Sequence, residues 1–401
     1  MLDEIPFHIQ AEIIKRLPVV SLLQFRSVSK GCKSLIDSSD FIAAHSVTQP
    51  QHLLLRYENP EETTEKYVSF VDDDTFPQQR FVHTLPQSIK LLINSTILGS
   101  SHGLLCLRGY CGVGENLFPN LETETVVLWN PSIRKSISVA VPNNINPDLD
   151  HETDLGFGVC SVTLDPKIVQ ITQFNKTSYH CEAKVYTVSS GKWRSLSSNL
   201  PCKPFRVLWP QVVVDRFIYW CAFDPMAKEN GLPNHNLIMS FDTTNENFGE
   251  IDLPDNLRRH PPIQLCISKL RECLVMLEYD NILKRACVVW MMENGVQKSF
   301  TKLYTFEAPY WSRRTGTALG FTNSGQPIME VVDDHGYVFE MSELVAYEPN
   351  SKRLNCLEIY GTTETFFVNS YTETLVLLGR SDCNIVIEDD EQEEMTFGVD
   401  M

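Results

Sequence analysis

Apolar positions along this chain follow two different rhythms. Near the N-terminus Ile5, Ile9, Ile13 and Leu17 recur every fourth position, the spacing of one face of a helix. Asp3 and Glu4 precede the stripe, where a helix N-terminus favours negative charge, and Pro6 suits the first turn. Pro18 should end that helix. A second short helix is expected to carry Leu22, Leu23 and Phe25. A third, capped by Ser29, should carry Leu35 and Ile36, and a final turn capped by Asp40 should run from Phe41 to His45.

From about residue 50 the rhythm changes to period two and to short apolar bursts bounded by turn residues. Five units look alike: VVLWNPSIRKSISV from Val126, KVYTVSSGKWRSL from Lys184, LIMSFDTTNENFGEI from Leu237, CVVWMMENGVQKSFTKL from Cys287 and LVAYEPNSKRLNCL from Leu344. Each reads as strand, polar turn, strand. Their aromatic anchors Trp129, Tyr186, Phe241, Trp290 and Tyr347 lie about 50 to 57 residues apart, the interval of one β-propeller blade. A further apolar run precedes each unit: GLLCL, IVQI, FIYW, CLVML and PIMEVV. Continuous runs are what a strand covered on both faces by neighbouring blades requires. HLLLRY and YVSFV near the start, with TLVLL (Thr374 to Leu378) from the far end, are expected to close a sixth blade and remove the exposed sheet edges. The expected architecture is α+β and multidomain: a small three-helix region over 1–45, a mainly-β propeller-like domain of about six blades over 50–385, and an acidic tail over 386–401. A pair of β-sandwiches is the competing arrangement for the middle part.

Three short helices bury little area by themselves, and below about 40 residues a domain usually needs a partner. The surplus apolar surface of the first 45 residues is therefore a candidate protein interface.

Composition narrows the function. At 401 residues with 43% hydrophobic and 21% charged residues the chain can build a sizeable core. Its apolar runs fall far short of the roughly 20 residues that cross a bilayer, so no membrane partner is expected. A net charge of −17 without a Lys/Arg cluster argues against nucleic acid, which needs a basic stripe. Part of that charge is the run EDDEQEE, Glu388 to Glu394, read as a solvated tail. The 12 cysteines are scattered without a CxxC pair, and the N-terminus carries two acids before its first base; reduced thiols and a nuclear or cytoplasmic location are expected.

Signatures of chemistry are few. GxxxxGK[ST], HExxH, GxSxG and the EF-hand loop do not occur. GYCGVG (Gly109 to Gly114) has the wrong glycine order for a dinucleotide fingerprint and reads as a loop. The carboxylate groups DDD (Asp72 to Asp74) and DDHG (Asp333 to Gly336) sit where turns belong, and His102 and His151 have no nucleophile near in sequence. No catalytic residue, metal or cofactor is expected. Asn143 to Thr153 and Asp224 to Asn236 read as long surface loops with room to bind a partner.

The N-terminal residues carry a resemblance. Ile5-Pro6, Ile9, Ile13-Ile14, Arg16-Leu17-Pro18, Ser21-Leu22, Phe25-Arg26, Val28-Ser29-Lys30, Leu35-Ile36, Phe41 and His45 resemble the F-box, whose pattern runs LPxxLxxEILxRLPxxSLxRFRxVCKxWxxLIxxxxFxxxH. Ile5 stands for the family's Leu, and Cys32 for its Trp, which removes a large anchor. Through GSSHGLLCL, VVLWNPSIRK, VYTVSSGKW and FDTTNENFGEIDLP, the rest is similar to the F-box-associated domain of plant F-box proteins. The resemblance implies a substrate receptor of an SCF-type (Skp, cullin, F-box) ubiquitin ligase. The F-box would dock on a Skp-type adaptor, cullin and RING subunits would join through that adaptor, and the C-terminal domain would hold an unidentified target protein. It carries the adaptor contacts onto Ile5, Pro6, Ile9, Ile13, Leu17, Pro18, Leu22, Phe25, Arg26 and Val28. A non-degradative binding module and a propeller enzyme are the competing functions.

Overall fold

A computed structural model describes residues 6–111, 123–143, 151–174, 180–197, 200–201, 203–229, 232–280, 286–293, 298–307, 317–332 and 341–379. Helices come first, as the four-residue stripe requires: α1 (Phe7–Ile14), α2 (Val19–Phe25), α3 (Lys30–Ile36) and α4 (Ser39–Thr48). Pro6 and Pro18 flank the starts of α1 and α2, and the Ser29 hydroxyl accepts the Cys32 N–H at 3.0 Å to open α3. The fourth helix is longer than the expected final turn. Ser38, not Asp40, caps it by accepting the Phe41 N–H at 3.3 Å, and Asp40 occupies the first turn, where its charge faces the helix N-terminus.

The remaining chain forms six four-stranded antiparallel sheets. Blade 2 contains Ile93–Ser101, Leu104–Cys111, Thr123–Asn130 and Lys135–Ala140, and blade 3 contains His151–Val159, Pro166–Phe174, His180–Thr187 and Lys192–Leu196. Blade 4 is Arg206–Val214, Phe217–Glu229, Leu232–Asp242 and Asn247–Asp252; blade 5 is Leu265–Leu270, Cys273–Tyr279, Ala286–Glu293 and Ser299–Glu307. Blade 6 is Thr317–Phe321, Pro327–Val332, Met341–Glu348 and Arg353–Thr362. Blade 1 joins both ends of the domain: Gln51–Asn59, Thr64–Val71 and Arg80–Val82 receive Phe367–Thr372 as their first strand, with Leu54 opposite Asn369. First strands touch their neighbours around the ring and line its channel. Each first strand is the inner edge of its sheet, so these edges face the narrow channel, where they are short and protected.

The repeat read from the sequence is the third strand of each blade. Trp129, Tyr186, Phe241, Trp290 and Tyr347 all lie there, followed by the hairpin to the fourth strand. Four of those hairpins place a residue with positive φ at the same point: Arg134, Gly191, Glu246 and Lys352. In three of them its N–H returns to the last strand residue, Gly191 to Thr187, Glu246 to Asp242 and Lys352 to Glu348, at 2.7–3.0 Å. This is a turn closed by a left-handed residue, a common short hairpin connection. Second strands are the apolar runs. Pro166–Phe174 is buried along almost its whole length because side chains of one face pack on the preceding blade and those of the other on the next.

Two further expectations are corrected. TLVLL is not the closing strand. Phe367–Thr372 closes the ring, and Thr374–Leu378 leaves the sheet in a buried turn, the Leu378 N–H bonding the Leu375 carbonyl at 2.9 Å. The described residues of Asp224–Asn236 are strand, not loop. The second and third strands of blade 4 run on to 13 and 11 residues and pair as far as Glu229 with Leu232, after a register shift between Asp224 and Lys228. That shift lets Pro225 lie in a strand without breaking the ladder. Gly112 to Gly114, DDHG and the acidic tail lie outside the described residues, as does most of the expected loop Asn143 to Thr153.

Candidate functional site

The helical region has two apolar sides. The inner side is Val19, Leu22 and Ile36, each fully buried, with Phe41. They share one core with Leu375–Leu378 and with Leu104, Leu128, Phe157 and Ile168 of blades 2 and 3. The outer side is Ile9, Ile13, Val20, Phe25 and Val28, exposed by 43, 53, 62, 38 and 69%, with Pro6 and Pro18 also exposed. Isolated exposed apolar side chains are ordinary; seven within 23 residues of one small domain form a candidate docking surface.

Side-chain bonds hold the outer side in place. Arg26 grips Asp37 with both nitrogens, Nε to Oδ1 at 2.5 Å and an Nη to Oδ2 at 3.0 Å, and Lys33 adds a contact at 2.7 Å. The Arg26 guanidinium holds the Asp37 carboxyl below its ordinary range. This fork ties the end of α2 to the end of α3. The buried His45 ring bonds the Leu17 carbonyl through Nε2 at 3.0 Å, and the Thr48 hydroxyl donates to the Lys15 carbonyl at 3.2 Å, so α4 braces the link between α1 and α2. Burial keeps His45 below the usual imidazole range, hence neutral.

The residues named from the sequence thus separate. Pro6, Ile9, Ile13, Pro18, Phe25 and Val28 face outward. Leu17 is half-buried against the shared core, Leu22 lies inside it, and Arg26 acts as a brace. Ile5 lies outside the described residues. Val20 was missed. Val19 and Leu22, three apart, both turn inward onto the propeller, which rotates Val20 to the opposite side. Cys32 is half-exposed on α3.

The propeller has two unlike ends. In an antiparallel blade the first-to-second and third-to-fourth turns lie at one end, the second-to-third turns and blade connections at the other. Leu164, Val188 and Ile133, all at turns of the first kind, pack in the core shared with the helices. The opposite end bears the long ribbon of blade 4, with Met226 70% exposed. Between the ends, a channel cavity of about 660 Å³ is lined by Ile97, Trp209, Gln211, Ile267, Ala318 and Val368, among others. Gln211 faces blade 3, accepting the Phe157 N–H and donating to its carbonyl at 2.9 and 2.7 Å.

Residues with imagined chemistry have structural partners. Asp72 accepts the Asn323 N–H at 2.8 Å and burial raises its carboxyl, while Asp73 bonds Thr75 within its own turn. His102 sits at positive φ in a hairpin, its Nδ1 3.0 Å from the Ser101 hydroxyl, which also accepts the Val159 N–H. His151 lies beside Phe174. Among the described residues no three His, Cys, Asp or Glu side chains are grouped to hold a metal.

Fold and surfaces define a class: a closed ring scaffold with a helical module, apolar on its outer side, fixed to one end. The F-box domain profile matches residues 2–43, and that of the F-box associated beta propeller domain matches residues 115–378. The chain belongs to the plant F-box proteins that carry an F-box-associated propeller. F-box protein CPR1 of Arabidopsis thaliana is 26% identical over 417 residues, covering 97% of this chain and 92% of the relative. A second Arabidopsis F-box protein is 25% identical over 76% of this chain and 75% of its own length, and a third is 22% identical over 93% and 92%. Among solved structures, a luciferin-regenerating enzyme covers 80% of this chain and 94% of its own at 10% identity and a TM-score of 0.34, too slight a likeness to carry an argument.

Proposed function

We propose that this chain is the substrate-recognition subunit of an SCF-type ubiquitin ligase. The outward set Pro6, Ile9, Ile13, Pro18, Val20, Phe25 and Val28 would be covered by a Skp-type adaptor, which brings the cullin and RING subunits. The observation that carries this reading is the division of the helical region into one apolar side used by the propeller and a second left uncovered. A target protein would be held at the propeller end that bears the blade 4 ribbon, away from the helices. The chain performs no covalent step in this scheme. Its contribution is proximity, which raises the effective concentration of the target beside the ubiquitin-charged enzyme. The complex would act in the nucleus or cytoplasm.

Co-purification with a Skp-type adaptor tests the proposal. Ile13→Asp, placed on an exposed side chain, should abolish adaptor capture while leaving the melting temperature unchanged, because a carboxylate desolvated at the centre of an interface costs several kcal/mol. Full capture by Ile13→Asp would remove the assigned surface. Cys32, half-exposed where the family places Trp, favours a second reading in which the adaptor binds and cullin does not. Recovery of adaptor without cullin or ubiquitinated clients would establish that reading instead.

A further inference from the structure

Six residues beyond the closing strand, Glu373–Leu378, belong to neither the ring nor the helices. Thr374 and Leu375–Leu378 are nevertheless all buried, Leu375 completely, among Val19, Leu22, Ile36 and Phe41 on one side and blades 2 and 3 on the other. Polar contacts tie the segment to both bodies. On the propeller, Asn130 donates from Nδ2 to the Thr374 and Val376 carbonyls at 3.0 and 2.7 Å while its Oδ1 accepts the Ser132 N–H at 2.9 Å. The Thr374 N–H donates to the Ser132 hydroxyl at 3.2 Å, and that hydroxyl also meets the Tyr371 hydroxyl at 2.6 Å. On the helical side, the Glu373 carboxylate lies close enough to the Val19 N–H at the start of α2 for that group to favour its charged form, and the Thr374 hydroxyl lies 3.4 Å from that of Ser46 in α4. Leu377 holds φ at 76°, a conformation that side chains with a branched apolar body rarely adopt. Such a residue persists only where its surroundings over-determine it. Here the reversal is what points four consecutive apolar side chains into one core.

We propose that Glu373–Leu378 is a strap that fastens the helical domain to the propeller in a single orientation, making this chain a rigid spacer between the adaptor surface and the target end. The covalent link between the two bodies, Gln49-Pro50 between α4 and blade 1, is short but could still hinge. The strap removes that freedom by giving the inner side of α2, α3 and α4 a fixed seat. The role assigned to the spacer rests on the receptor reading above; the fastening does not.

Hydrogen exchange on the full chain separates the two. In a double variant Leu375→Ser, Leu377→Ser, amides of α2, α3 and α4 should exchange about tenfold faster or more, because their buried face loses its seat. Strands Cys273–Tyr279 and Pro327–Val332, on the far side of the ring, should keep their rates. Wild-type rates in α2–α4 would overturn the proposal. Should the whole ring loosen in that variant, Glu373→Ala decides: faster exchange confined to α2 supports the strap, and unchanged α2 rates overturn it. In ligase assays the strap variant should still capture adaptor through the outer side, yet transfer ubiquitin to a bound target at least about tenfold more slowly, since misplacement by ångströms is costly to a proximity effect. Failure of the wild-type chain to capture adaptor would sink the receptor reading and leave the exchange result standing.

Discussion

Replacing Gly156 by Ala should destabilise the propeller, although the same change in most strand interiors does the reverse. Gly156 lies in the first strand of blade 3, where a Cβ would sit 2.3 Å from Trp220 Cζ2, 3.1 Å from Cη2 and 3.3 Å from Cε2. Carbon atoms pack comfortably at about 3.5–4.0 Å, so blades 3 and 4 would have to part by about 1.2 Å at this point. The indole cannot swing away. Trp220 is fully buried and packed within a core that includes Val169, Ile171, Met239 and Phe241. Overpacking of this kind costs about 1–3 kcal/mol, against about 0.4–1 kcal/mol gained by restricting the unfolded chain. The balance is a loss of roughly 1–2 kcal/mol. Urea unfolding should lower the midpoint of Gly156→Ala without changing the slope. Trp220→Phe should restore space, so the double variant should be more stable than the sum of the single effects by about 1 kcal/mol. A midpoint at or above that of the wild type in Gly156→Ala would refute the claim that this glycine exists to admit the tryptophan.

Three further outcomes are expected. Leu22→Ala, inside the shared core, should cost about 2–5 kcal/mol and weaken adaptor capture only through lost folding, whereas Val20→Ala should leave stability within about 0.5 kcal/mol and weaken capture directly; equal effects on melting would contradict the inward–outward sorting. Burial and the neighbouring His52 and Arg134 push His83 down to about 4, so its neutral form contributes stability that is complete above the unfolded value near 6.5 and is lost as pH falls towards 4. Asp154, raised to about 6 by burial and by Glu152, opposes this in the same window, since its contribution fades as pH rises. The pH curve of the whole protein should therefore be shallow, and difference curves should reveal the terms: His83→Phe should gain on the wild type between pH 7 and 5, and Asp154→Asn should gain between pH 5 and 7. Finally, Cys32→Trp should raise adaptor affinity without changing melting; unchanged affinity would show that the half-exposed α3 position lies outside the interface.

The ring was legible wherever a strand had to be apolar on both faces and was followed by a turn of fixed chemistry. Asn130, Asp242 and Glu348 each end a third strand, and the same hairpin follows. Legibility failed where burial and periodicity part company. Phe367–Thr372 buries only Val368 and Tyr371 fully because its other residues face the channel or its rim, so a weakly patterned segment closes the ring. TLVLL, with the stronger apolar signal, buries all its side chains by a left-handed turn at Leu377 that no period predicts. In blade 4, Asp224-Pro225 looks like loop punctuation, yet strand pairing resumes beyond it. In the helices, period four located the apolar residues but could not assign Leu22 and Val20 to opposite sides. That assignment needs the second body on which α2 rests, and nothing within 45 residues encodes where that body will be.

Closure of blade 1 by the far end of the chain has a consequence for biosynthesis. A ribosome releases Gln51–Asn59 early, but the strand that shields its free edge follows only after roughly 300 further residues. Throughout that interval a ladder carrying Leu53, Leu54 and Leu55 has one row of unpaired amides, the template on which other chains add. Contacts so distant in sequence also form slowly. Nascent and prematurely terminated chains of this protein are accordingly the sticky forms, and chaperone demand should fall sharply once residue 372 has left the exit tunnel.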